Sequence, residues 1–190
     1  NTGNVGLPLA YFAFGDVGLG YAIVVFAIMA ITSFTFGVWL VSGGGGIGKA
    51  MKEPLVPATM LGGLFMIMDW QTPTFLTNSL ELIGQMAIPL MLITLGVAVA
   101  RLRPGRVPQA ISLCVGKLAL CTATGWAVGR YFNLEPIAFS ILILQVTTPV
   151  AVTSYLLAEK YGADAQSVAG LVVVSSLISV LSLPVLLTIL

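Results

Sequence analysis

The chain has no histidine, and only 8% of its 190 residues are charged. Because the chain has no histidine and no cysteines grouped with carboxylates at ligand spacing, it offers almost no ligands for a zinc or haem site. On one helix, Cys114 and Cys121 would stack about 10 Å apart, too far for a disulfide. We therefore expect no metal centre and no cofactor, although a Na⁺ site made of carbonyl oxygens would leave no such trace.

Net charge is also nearly absent. Eight basic and seven acidic residues leave a formal charge of +1, which gives no basic surface for nucleic acid. An enzyme of the membrane interior would need a buried acid–base pair, and the sequence shows none. What the chain has instead is apolar surface: 58% of its residues are hydrophobic and the mean hydropathy is +1.05. These values predict an all-α, polytopic protein of the lipid bilayer.

Six stretches are predicted to span the membrane, of which 54–68 and 107–129 are the less regular. The other four carry no charge: 17–41, 82–100, 136–158 and 165–190. An apolar fragment from Val5 to Phe14 precedes them and is too short to cross alone. Alternating the spans puts six of the seven connector Lys and Arg residues on one face. By the positive-inside rule that face is cytoplasmic, and the chain ends outside at Leu190.

Two polar segments that contain proline interrupt this apolar pattern. The first runs from Asn1 to Pro8, and the second from Gln145 to Pro149 inside a predicted span. A frayed chain end would explain the first segment, and an ordinary proline kink the second. Together they favour a sharper interpretation, in which two broken helices cross near the midplane and present half-helix N-termini to an anion.

A short internal repeat accompanies the two segments. Phe14-Gly15-Asp16 and Tyr161-Gly162-Ala163-Asp164 each follow one of them and precede an apolar helix. The charge-derived topology runs the two following helices in opposite directions. The sequence therefore predicts an inverted repeat, the arrangement on which many secondary transporters are built.

These motifs resemble the auxin efflux carrier family, also called PIN-like carriers. The resemblance is carried by NTGNVGLP at the start of the chain, by TTPVAV from Thr147 to Val152, and by YGAD before the last helix. It extends from Asn1 to Leu190 and implies two inverted five-helix repeats, of which the first three spans and part of the fourth would lie upstream. Residues 1–53 would end the first repeat in the transport domain. Residues 54–190 would form the second, with 54–100 as scaffold and 107–190 as transport domain.

The resemblance also implies a homodimer that moves its substrate by alternating access. The short connector at 42–52 fits a bacterial-type carrier of small carboxylates in the inner membrane better than a plant auxin exporter. The substrate would be a small organic anion, coupled to H⁺ or to Na⁺. A membrane-embedded ligand sensor that uses the same crossover is the alternative function.

Candidate site residues follow from these breaks. Hydrogen bonds to the substrate are expected from Asn1, Asn4, Gln145, Thr147 and Thr148, while Pro8 and Pro149 hold the breaks open. Lys117 is the only cation inside a span and should face the protein interior, because a charge in lipid costs several kcal/mol. It would tune the local potential. Donation to carbonyls at the break, direct contact with substrate and snorkelling all remain open as its role.

Three further patterns have more ordinary explanations. Glu81 and Gln85 share a helix face, where proton coupling is conceivable and a solvated interfacial carboxylate is commoner. Ser175, Ser179 and Ser182 line the last helix, where close packing explains them better than solute contact. Residues 43–50 read GGGGIGKA and nearly match a phosphate-binding loop, but the segment lacks the final Ser or Thr and follows a membrane span.

Overall fold

The computed structural model describes residues 1–42, 55–103 and 105–189, which form helices and their connections and contain no strand. A π-helical turn, Thr2–Gly6, leads into the first α-helix, and a second one, Ser33–Gly37, follows it. The α-helices are α1 Leu7–Thr32, α2 Val38–Val41, α3 Leu55–Ile67, α4 Thr74–Gln85, α5 Ala87–Arg101, α6 Val107–Tyr131, α7 Pro136–Thr147, α8 Val152–Lys160 and α9 Ala165–Ile189. The prediction of an all-helical membrane protein is confirmed. The segment that resembles a phosphate loop lies outside the described residues.

The first helical stretch is too long for a single straight crossing. Thr2–Val41 has 40 residues, which corresponds to about 60 Å of helix against a hydrocarbon core of about 30 Å. Gly15 interrupts it with a φ of +63°, a backbone conformation that favours glycine. The fragment predicted at Val5 to Phe14 is therefore a short helical piece ahead of this kink, and the longer piece follows it.

Four helical segments are long and apolar enough to cross a membrane, or five if the bent pair α7 and α8 counts as one span. In the part of the chain that the structure describes, six spans are therefore not reached. Helix α3 has 13 residues, or about 20 Å, which is shorter than the hydrocarbon core. The span predicted at 82–100 is part of a longer segment, Thr74–Arg101.

The chain divides into two compact units, Asn1–Phe26 with Met91–Leu190, and Ala27–Leu90. In the first unit, the start of α1 packs against α7 and α9 through a buried apolar cluster: Leu7, Ala10, Ala22, Ile141, Leu144 and Leu183. Gly129 brings α6 close to α7, since a Cβ there would lie 2.4 Å from the Phe139 ring. Small residues permit such close helix packing in membranes, where apolar burial does not drive association. In the second unit, Phe65 and Trp70 pack edge to face.

The connection from α8 to α9 contains the second copy of the repeated motif. Gly162 adopts a φ of +71°, close to the value at Gly15 in the first copy. Asp164 then caps α9 by accepting hydrogen bonds from the Ser167 hydroxyl at 2.6 Å and from its backbone N–H at 3.0 Å. These bonds, with Arg106 at 4.0 Å, hold the pKa of Asp164 below its usual value. The carboxylate therefore stays ionised at neutral pH, as capping requires.

The backbones of α9 and of the segment before α6 meet at two glycines. A Cβ at Gly170 would lie 2.3 Å from the Gly105 carbonyl oxygen, an atom that cannot move away as a flexible side chain could. At Gly116, in contrast, a Cβ would meet nothing within 4 Å. Gly170 is therefore a contact position, whereas Gly116 only occupies an open helix face.

We predict that Gly170→Ala destabilises the full-length protein by about 1 to 3 kcal/mol, because the added methyl group overpacks the contact with Gly105. Thermal unfolding in detergent measures the effect. Gly116→Ala on α6 is the matched control and should be neutral or stabilising, since alanine is the better helix former. Equal melting temperatures for the two variants would contradict the close backbone contact.

Candidate functional site

The predicted break in the span at 136–158 is present. Helix α7 ends at Thr147, α8 begins at Val152, and the two are bent by 41° across four non-helical residues. Pro149 lacks an N–H and disfavours the helical conformation at Thr148, which adopts a φ of −51° and a ψ of 151°. The helix therefore stops and restarts instead of kinking.

Side chains from two other helices bond to the polar backbone of the break. The Val150 N–H donates to the Ser175 hydroxyl at 2.9 Å, and the Lys117 ammonium donates to the Thr148 carbonyl oxygen. The Thr148 hydroxyl donates to the Gln145 carbonyl oxygen at 2.7 Å. Such partners are required because lipid offers none to an interrupted helix.

Lys117 lies half-buried on α6 and faces the break, as predicted. With Thr147, Thr148 and Ser175 it lines a small pocket, which Cys114, Ser179 and Ser182 complete. Of the roles that the sequence leaves open, the structure shows donation to a carbonyl of the break. No carboxylate among the described residues lies within ion-pair distance of Lys117. The partner of its ammonium is therefore a carbonyl dipole, that of Thr148, and not a carboxylate.

Ser175 is the residue that the sequence interpretation undervalued. Its side chain is buried, and its hydroxyl both accepts from Val150 and donates to the Val172 carbonyl oxygen. The spacing of Ser175, Ser179 and Ser182 identified a shared face of α9. It did not reveal that this face meets the break, because Val150 and Ser175 come together only through tertiary packing.

The start of the chain lies against the same break. The backbone nitrogen of Asn1 donates to the Pro149 carbonyl oxygen at 2.7 Å and lies 3.4 Å from the Thr148 hydroxyl. One turn later, a Cβ at Gly6 would lie 2.1 Å from the Gln145 side-chain oxygen, so any larger residue there would force this buried amide to move. The two polar segments that the sequence singled out therefore contact each other.

The backbone of the first segment differs from expectation. Thr2–Gly6 is a π-helical turn that continues into α1, where an open break was expected. Pro8 therefore lies inside a continuous helical stretch and not at its start, so its missing N–H removes one backbone hydrogen bond from the preceding turn. Asn4 is half-buried, and within the described part of the chain its side chain has no hydrogen bond.

Two amide groups at the contact between the segments are incompletely bonded. Gln145 is fully buried and donates to the Ala22 carbonyl oxygen at 3.4 Å, while its own side-chain oxygen has no partner among the described residues. The buried side-chain nitrogen of Asn1 is likewise without an acceptor there. A buried polar atom left unpaired costs about 1 to 3 kcal/mol. A ligand or an ordered water that bonds to such an atom removes this cost, and so gains more binding free energy there than at an atom that is already paired.

The remaining candidate residues differ in what they offer. The Thr147 hydroxyl donates to the Ile143 carbonyl oxygen at 2.8 Å within α7, so its proton is already engaged. Glu81 and Gln85 are both exposed on α4, in the unit Ala27–Leu90. The first turn of α8 contains no acidic residue, and no side chain caps it. Its N–H groups therefore point into the break without a side-chain partner.

The break consequently has two electrostatic poles. The carbonyl end of α7 carries partial negative charge and is contacted by the Lys117 ammonium. The N–H end of α8 carries partial positive charge and is uncapped. An anion placed at the second pole would be stabilised by free N–H groups and by the nearby Asn1 amide.

A family model described as membrane transport protein matches residues 46–187. An uncharacterized transporter of Methanothermobacter thermautotrophicus is 29% identical over 97% of this chain and 63% of its own length. An uncharacterized transporter of Methanocaldococcus jannaschii is 24% identical over 95% of the chain and 62% of its own. The "Putative malonate transporter" of Rhizobium meliloti is 24% identical over 95% of this chain and 61% of its own length.

The chain thus spans less than two thirds of the length of these relatives. No solved structure matches it. The matched family and the named relatives are transporters and not enzymes, and none is named as a sensor. With three quarters of its residues inside the match, the chain belongs to the membrane transport protein family, and its predicted kinship with the auxin efflux carriers is confirmed at that level.

Proposed function

We propose that the whole protein is a secondary transporter that moves a small organic anion by alternating access, with the break between α7 and α8 as its solute site. The observation that carries this proposal is the pair of poles at the break. Lys117 occupies the carbonyl end of α7, and the N-terminus of α8 is left uncapped. Discontinuous helices with this polarity are how many secondary transporters bind anionic substrates without a buried cation in direct contact.

Each candidate residue has a role in this scheme. Asn1 and Asn4 would contribute hydrogen-bond donors to the substrate, and Gln145 would hold the two polar segments together beside Gly6. Thr147 and Thr148 are weaker candidates, because each hydroxyl proton is engaged by a carbonyl oxygen of α7 and would have to leave it to bind the substrate. Pro149 would keep the second break open, whereas Pro8, expected to do the same for the first segment, lies within a continuous helical stretch. Lys117 keeps the local potential positive.

The substrate is proposed to be a carboxylate. One relative is named for malonate, and a carboxylate matches a site of N–H and amide donors. Unpaired donors also explain why binding would be favourable, since an anion satisfies groups that are otherwise orphaned. Coupling to H⁺ or Na⁺ and assembly as a homodimer belong to the same proposal.

The moving parts are proposed from the repeat. Both copies place a glycine of positive φ after a short helix, at Gly15 and Gly162. These similarities support an inverted repeat in which residues 1–53 end the first half and residues 54–190 form the second. Residues 54–100 would then be scaffold, and 107–190 would belong to the transport domain.

The first prediction tests the donors at the break. Asn1→Ala in the full-length protein should weaken carboxylate uptake by tenfold or more, because a lost hydrogen bond to a charged acceptor is worth about 1.5 to 3 kcal/mol. The measurement is concentration-dependent uptake into proteoliposomes, screened over mono- and dicarboxylates. Ser140→Ala on α7 is the control, since its hydroxyl bonds only within the helix, to the Pro136 carbonyl oxygen. Unchanged uptake by Asn1→Ala would place the solute site elsewhere.

The second prediction concerns Lys117. Lys117→Met should abolish uptake and lower the melting temperature, because it removes both the charge and the donor to the Thr148 carbonyl oxygen. Lys117→Arg should retain part of the uptake and part of the thermal stability. Lys160→Met removes the same charge from the end of α8, outside the break, and should leave uptake near normal. Full activity of Lys117→Met in folded protein would remove the proposed electrostatic role.

The third prediction tests the orientation, in which the connector after α5 is cytoplasmic and the chain ends outside. Cysteines introduced at Arg103 and Thr72 in a protein without Cys114 and Cys121 should differ in intact bacterial cells. An impermeant thiol reagent should label Thr72→Cys and spare Arg103→Cys until the cells are permeabilised. The opposite labelling pattern would invert the assignment.

A further inference from the structure

A second cavity lies in the first unit, away from the Lys117 pocket. It is a groove of about 430 Å³ between α5 and α8. Its wall is mostly aliphatic, with Ile93, Val97 and Ala98 on α5 and Val152 and Leu156 on α8. A volume of this size accommodates a small organic molecule. Nothing in the proposed function accounts for it.

One end of the groove lies next to the break in the chain. Val152, which lines the groove, is the first residue of α8 and directly follows the non-helical segment at 148–151. Along α5 the lining extends over the nine residues from Ile93 to Arg101, or about 12 Å of helix. In the proposed orientation α5 and α8 both run toward the cytoplasm. The groove then connects the cytoplasmic surface at Arg101 to the inner end at Val152.

The charge at the mouth of the groove is positive. Arg101 stands in the last turn of α5, and its guanidinium forms no ion pair or hydrogen bond with the described part of the chain. Among the described residues no carboxylate lines the groove, and Thr94 on α5 and Tyr155 on α8 are its other polar residues. An anion is therefore attracted at the mouth, and an apolar body is accommodated beyond it.

We propose that this groove is the entrance of the solute pathway and that Arg101 recruits the carboxylate at its mouth. The inference rests on the proposed function and narrows its substrate class. The aliphatic wall favours a monocarboxylate with an apolar body over a dicarboxylate such as malonate. A second carboxylate would lose its hydration against this wall without gaining a partner. A lipid chain would also fit an apolar groove, but the arginine at one end and the position of Val152 directly after the break at the other favour the solute.

Thiol accessibility tests the entrance without requiring a known substrate. Ala98→Cys, in full-length protein lacking Cys114 and Cys121, places a thiol on the groove wall one turn from Arg101. In lipid nanodiscs it should react with a small anionic methanethiosulfonate faster than with a cationic one of similar size. Arg101→Gln should lower the anion-to-cation rate ratio by about tenfold, and Arg101→Lys should preserve it.

Gly96→Cys is the matched control, because Gly96 lies on the same helix farther from Arg101, is exposed, has room for a side chain and does not line the groove. It should be shielded by lipid and react slowly with both reagents. If Ala98→Cys reacts as slowly as Gly96→Cys, the groove is filled by lipid or protein and the inference is wrong. A rate ratio unchanged by Arg101→Gln would also overturn it.

Protection of Ala98→Cys by carboxylates tests the substrate class. From propionate to pentanoate, the half-protecting concentration should fall about fourfold for each added methylene group. Malonate should protect less well than pentanoate. Protection by malonate at equal or lower concentration would contradict the apolar selection. Because reactivity is read without transport, these results stand apart from the uptake assay of Asn1→Ala: if that variant loses uptake while Ala98→Cys stays inert, only the groove inference falls.

Discussion

The arrangement of the first unit depends on one constraint, which is that a helix interrupted inside a membrane must find partners for its freed backbone groups. Helix α7 stops at Thr147, and four residues pass before α8 begins. Ser175 from α9, Lys117 from α6 and the backbone nitrogen of Asn1 supply bonds to this segment. Three distant parts of the chain therefore converge on one short stretch. These parts stabilise the break, and their bonds to the break in turn hold them together.

The same break separates two partial charges that a continuous helix would keep at its distant ends. Lys117 neutralises the carbonyl end of α7, and this leaves the N–H end of α8 as the free pole. A full positive charge beside the substrate would bind an anion too tightly for easy release. Helix-end N–H groups and neutral amides provide weaker attraction, which suits a site that must both load and unload. In the proposed anion site, the full charge of Lys117 thus stays at the carbonyl pole, and weaker N–H donors face the anion.

The apolar character of the chain serves two different purposes. On most helices the exposed aliphatic side chains provide the lipid-facing surface. Such a surface requires apolar side chains but no particular arrangement of them. Between α5 and α8 the same kind of side chain lines a concave surface that reaches Val152, the first residue after the break. The groove differs from the lipid-facing surface in the spacing between the helices and not in the type of residue. In the proposed pathway, the groove would discriminate by apolar contact, and the break would recognise the carboxylate.

The sequence by itself determined the helical membrane class, the break at Pro149, the inward position of Lys117 and the family, because hydropathy, proline chemistry and the cost of a buried charge are local properties. It predicted six spans, of which the described residues contain four, or five when α7 and α8 count as the one broken span that was predicted at 136–158. Hydropathy alone did not show that α3 has 13 residues. It also expected an open backbone at Asn1 to Pro8, where the structure has a π-helical turn. Only the tertiary structure decided that Ser175 bonds to Val150, that Gly6 faces Gln145 and that α5 and α8 enclose a groove. These contacts join residues from different helices, and their geometry follows from how the helices pack and from no pattern within any one of them.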